Sequence, residues 1–157
     1  MNSNDKITSV IRRMLDEAGL SYEMENDVQI FSLDWALHSP ISNVRLYINA
    51  TPTGFMLLSV PMIKANVNDH ALMLELAALM ARINYSMRLF KFSLNFDDGA
   101  LRCSFDFPVE DGFELQPSHI VKYITFLRSV WQRHAASLLD VMLGGKTAEE
   151  AYNGGAN

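Results

Sequence analysis

The chain has 157 residues, 49% of them hydrophobic and 20% charged, with 13 Lys and Arg against 18 Asp and Glu for a net charge of −5. This is the composition of one globular domain with a sizeable core, too apolar for disorder and lacking the basic excess typical of nucleic-acid binding. A single cysteine excludes an internal disulfide and fits a reducing compartment.

The opening residues, MNSNDKITSVIRRMLDEAGL, carry no apolar run of the signal-peptide kind. No stretch reaches the roughly 20 apolar residues that cross a bilayer, and ALMLELAALMA contains Glu75. The expected location is cytoplasmic, with no membrane partner. Ile7, Val10, Ile11, Met14, Leu15 and Ala18 recur at spacings of three and four, which predicts an amphipathic helix over 5–18. Ser3 or Asn4 can cap its start, and Gly19 can supply a left-handed stop.

Strands are expected at 28–34, 44–50 and 55–61, with DWALHSPIS between the first two as a loop or helical turn. In VRLYINA, Val44, Leu46, Ile48 and Ala50 alternate with Arg45, Tyr47 and Asn49, the pattern of a half-buried strand. TPTG turns the chain through Pro52 and Gly54. FMLLSV is nearly all apolar, so it reads as a central strand whose register the pattern does not reveal, ended by Pro61.

A second helix is expected over 69–84, capped by Asn68 or Asp69. Leu72, Leu76, Leu79 and Ile83 form a stripe for the sheet. Met73, Leu74, Ala77, Met80 and Ala81 form a second apolar arc, and a helix apolar on two faces is buried on both. That arc is the candidate dimer or partner interface.

KFSLNFDDGALRCSFDFP predicts a hairpin turning on Asp98-Gly99. A two-residue turn sets Phe96 opposite Leu101, Leu94 opposite Cys103, Phe92 opposite Phe105, and Phe90 opposite Phe107. The other face pairs Asn95 with Arg102, Ser93 with Ser104, and Lys91 with Asp106, leaving one greasy face and one wet one. A third helix is expected from Pro117 to about 137, with Ile120, Ile124, Leu127, Trp131 and Leu138 buried. Thr147 and Glu150 form a capping box for a short last helix. The reading is a single α+β domain over 1–152, ordered helix, three antiparallel strands, helix, β-hairpin and helix, with 153–157 as a disordered tail.

The search for chemistry finds no catalytic constellation, so no enzyme and no cofactor are expected. His38, His70, His119 and His134 lack metal-ligand spacing; the last two would sit roughly 22 Å apart on one helix. Cys103 falls on the greasy face of the hairpin and reads as inert packing. Asp97 and Asp98 lack the further oxygens of a calcium loop. Glu110 and Asp111 read as a solvated turn, and no phosphate-binding glycine motif is present.

Residues 92–151 carry a family resemblance. A strand, the Asp98-Gly99 turn and a second strand lead through a short acidic loop to a helix start at Leu115-Gln116-Pro117. A closing pattern of Leu139, Met142, Gly144, Glu149 and Ala151 follows. With these elements the chain resembles the YbjN family, whose fold is like that of type III secretion chaperones. The resemblance implies a non-enzymatic homodimer, chaperone-like or regulatory, that binds a protein partner; the acidic charge balance leads to the expectation of no nucleic-acid partner. The alternative is a small-molecule-binding domain with a pocket between the sheet and the helices.

Overall fold

Periodic burial and a glycine stop build the first helix. α1 (Ser3–Glu17) buries Ile7, Ile11, Met14 and Leu15, and Gly19 follows at φ 64°, a left-handed geometry that glycine adopts without penalty. The structure is a computed structural model and describes residues 3–25, 29–109 and 113–155.

β1 (Glu23–Glu25), β2 (Ile30–Ala36), β3 (Asn43–Thr51) and β4 (Gly54–Pro61) follow, then α2 (His70–Ser86), β5 (Lys91–Leu94) and β6 (Leu101–Pro108). α3 (Pro117–Met142) and α4 (Ala148–Gly154) complete the chain. The strands form one six-stranded antiparallel sheet, ordered β1-β2-β3-β4-β6-β5. This is the expected α+β fold, with β4 in the interior of the sheet.

Several boundaries differ from the sequence reading. β1 was not foreseen, because three residues are too few to show an alternation. Trp35 and Ala36 extend β2 past the expected end at 34, against Val44 and Asn43, where a loop is expected from the sequence; Val28 lies outside the described residues. α3 runs five residues beyond 137, to Met142. Asn153 and Gly154 belong to α4 and not to a tail, while 156–157 lie outside the described residues.

The hairpin keeps its faces but not its register. Leu94 pairs with Leu101 and Phe92 with Cys103, a shift of two residues from the expected partners. A shift of two preserves which face each side chain takes, whereas a shift of one would invert it. The loop is longer because it is stitched to a distant segment. Asn95 N–H donates to Ala100 O and Gly99 N–H to Asn95 O, both at 2.9 Å, while Ala65 N–H donates to Gly99 O at 2.9 Å. Gly99 sits at φ 72°, and a Cβ there would lie 2.1 Å from Ala65 O. Phe96, expected in the core, is 53% exposed on this loop. The expected Lys91–Asp106 pair is absent from the register: Lys91 faces Ser104 and donates to the carbonyls of Asn84, at 2.8 Å, and Met87.

β5 is an edge strand, and an open edge invites pairing with another chain. Asn84 closes this one as a surrogate strand. Its Nδ2 donates to Phe92 O and its Oδ1 accepts from Phe92 N–H, both at 2.8 Å. Asn84→Ala leaves both half-buried backbone groups unpaired and should cost about 1–3 kcal/mol. A thermal melt checks this; an unchanged Tm would mean that water serves the edge equally well.

α1 packs over β3 and β4, α3 sets Ile124, Leu127 and Trp131 beside Val44, Leu46 and Ser59, and α2 lies against α3, α4 and β5. At the centre Trp131 is fully buried, its Nε1 donating to Ser59 Oγ at 2.7 Å. Ser59 Oγ in turn donates to Cys103 O at 3.1 Å, and the Phe92 ring meets Trp131 edge-on with centroids 5.1 Å apart. Helix, sheet and hairpin thus converge on one indole.

Candidate interaction site

α2 has little hydrophobic asymmetry, and the structure shows how its apolar residues divide. Met73, Leu76, Leu79, Met80 and Ile83 are buried in the chain's own core. The arc proposed as an interface (Met73, Leu74, Ala77, Met80, Ala81) is therefore not one free face. Met73 and Met80 are 1% and 3% exposed, Ala77 is half-buried, and only Leu74 and Ala81 face outward. The reason is that α2 is covered by α3, β5 and α4 together, so its inner face is wider than a single sheet-facing stripe.

The face left open is a different one. Ala71, Leu74, Ala78, Ala81 and Tyr85 are all exposed, Leu74 at 65% and Tyr85 at 95%. Their spacings of three, four, three and four draw one straight seam along the helix, as in a coiled coil. Glu75 and Arg82, one heptad apart, flank it on the same side. Glu75 Oε2 accepts from Ala148 N–H at 2.6 Å, which ties α4 to α2.

Beside the end of this seam, the 86–90 connection and α3 enclose an open cleft of about 330 Å³. Met87, Phe90 and Val130 supply apolar walls, and Leu89 and Phe126, 47% and 43% exposed, form its lip. Among the described residues, Arg88, Arg133 and His134 are the charged or chargeable ones lining it, and no carboxylate does so. A second groove, shared with it at Ser86, Met87, Arg133 and His134, continues past Leu79 to Tyr152. His134 is half-buried with its ring 6.0 Å from that of Phe92, and burial, reinforced by Arg133, holds its pKa below the usual imidazole range.

His119, Asp98 and Cys103 take structural roles. His119 Nδ1 accepts from Gln116 N–H at 3.1 Å and caps α3. Asp98 accepts from Lys64 Nζ at 2.7 Å and from Ala100 N–H at 3.0 Å; the lysine, first, holds its carboxyl below the usual range. Cys103 is fully buried, and desolvation pushes its thiol far up, away from the reactive thiolate. Glu110 and Asp111 lie outside the described residues. Among the described residues no three of His, Cys, Asp or Glu gather as a metal site. None of their helices is long and apolar enough to cross a membrane.

No protein-family model matches the sequence, and a search of curated proteins returns no match. Among solved structures, the chain is similar to YbjN, a proposed transcription regulator from E. coli. The two superpose with a TM-score of 0.58 at 16% sequence identity, over 82% of this chain and 91% of that one. That superposition, over most of both chains, gives this protein a YbjN-like α+β fold.

Proposed function

We propose that the chain is a non-enzymatic binding module that acts as a homodimer, joined along α2, in a regulatory or chaperone-like role. The observation that carries this reading is the exposed seam of α2. An antiparallel second copy centred on Ala78 sets Leu74 over the partner's Ala81 and Tyr85 over the partner's Ala71. Large residues then meet small ones on either side of the two-fold axis, where Ala78 lies against its own copy. On the flank, Glu75 faces the partner's Arg82 twice over, an ion pair that favours the antiparallel register.

A regulatory role is supported by the fold shared with YbjN, and the net charge of −5 favours a protein partner over DNA. The chaperone-like role draws on the resemblance to secretion chaperones. The structural roles of His119, Cys103 and Asp98 support a module without catalysis. A small-molecule site is the second reading, favoured by a cleft volume within the range of ligand pockets. Light scattering tests the first: a mass of twice 17.7 kDa supports the dimer, and 17.7 kDa overturns it.

A further inference from the structure

We propose that the cleft between the 86–90 connection and α3 binds an acidic, amphipathic peptide segment of a partner protein. The proposal rests on the reading of the chain as a binding module, but it does not require the α2 dimer.

Charge argues first. In a chain of net charge −5, a cleft whose charged lining is Arg88 and Arg133, with His134 beside them, is a local inversion of sign. Both arginines are exposed, and neither makes an ion pair or hydrogen bond among the described residues. A guanidinium offers a planar fork that takes carboxylates two bonds at a time. The partner's carboxylates are thus matched by donors that none of the described residues uses.

Shape argues second. The walls are apolar, but the lip is apolar too, with Leu89 and Phe126 facing water. A small ligand settled inside would leave that lip exposed, whereas a peptide crossing it covers both residues. The two joined grooves follow α3 from Phe126 to Ser137, roughly 16 Å at the helical rise per residue. That length suits a short extended segment or a few helical turns. An apolar side chain fits between Met87, Phe90 and Val130, with carboxylates on either side reaching Arg88 and Arg133.

The test is fluorescence anisotropy on the full chain with a fluorescein-labelled synthetic peptide of Glu, Leu and Phe long enough to span the cleft. Two control peptides replace Glu by Lys, or Leu and Phe by Ser. The acidic apolar peptide should bind, the controls should not, and added salt should weaken binding. Arg88→Glu and Arg133→Glu should each reduce affinity about ten- to hundredfold, with unchanged circular dichroism because both side chains are exposed. Arg88→Gln and Arg133→Gln provide milder versions should a reversal perturb folding. Equal binding of either control, or full affinity in the arginine variants, overturns the proposal. So does displacement of the peptide by dodecanoate at lower concentration than by unlabelled peptide, which assigns the cleft to small anionic amphiphiles. Monomer mass with intact peptide binding would remove the dimer and leave this site standing.

Discussion

Trp131→Ala should lower stability by about 3–5 kcal/mol. The indole is fully buried where α3, β4 and the β5–β6 hairpin meet. Truncation opens a cavity, because side chains on three separate elements cannot all relax into it. It also removes the donor to Ser59 Oγ, leaving a buried hydroxyl with a single partner, Cys103 O. Trp131→Phe keeps most of the volume and loses the hydrogen bond, so it separates the two contributions. Urea titration followed by circular dichroism measures both. A loss under 1 kcal/mol for the alanine variant would mean the centre of the core lies elsewhere.

Ala78→Glu should shift the protein from dimer to monomer at micromolar concentration. In the proposed dimer Ala78 meets its own copy, so one substitution brings two carboxylates face to face in a desolvated contact. Like charges so placed cost several kcal/mol, roughly a hundredfold or more in the dissociation constant. Leu74→Glu removes an apolar knob on each side of the axis and should act in the same direction. Both side chains are exposed in the single chain, so helicity and melting should be preserved apart from what the dimer itself contributes. Met80→Glu, which the helix pattern alone suggests as an equivalent variant, should instead unfold the domain, since Met80 is 3% exposed. Light scattering with parallel circular dichroism distinguishes these outcomes.

The contrast between Ala78 and Met80 shows where the sequence was legible and where it was not. α1 and β3 declare their buried faces because polar residues mark the outside at the right period. α2 does not, since Leu, Met and Ala surround it, and which arc is free depends on α4 and β5 packing against it. The heptad spacing of Ala71, Leu74, Ala78, Ala81 and Tyr85 was a signal in the sequence, hidden by the larger methionines beside it. In β4, Ser59 points inward while Leu58 faces the other way; a bond to Trp131, 72 residues on, decides it. The hairpin register is set likewise by Ala65, which no turn rule includes. The cleft is formed by two segments about 40 residues apart, and only the run Arg88-Leu89-Phe90, basic then apolar, hinted at it.

The central claim is the antiparallel α2 dimer, and Ala78→Cys tests it most directly. Facing cysteines at the crossing of two closely packed helices lie within reach of a disulfide. The chain's own thiol, Cys103, is buried and does not compete. After mild oxidation of the native protein, a non-reducing gel should show a covalent dimer for Ala78→Cys and a single chain for Thr125→Cys, at an exposed position on α3. A single chain for Ala78→Cys, or equal cross-linking at both positions, would contradict the account.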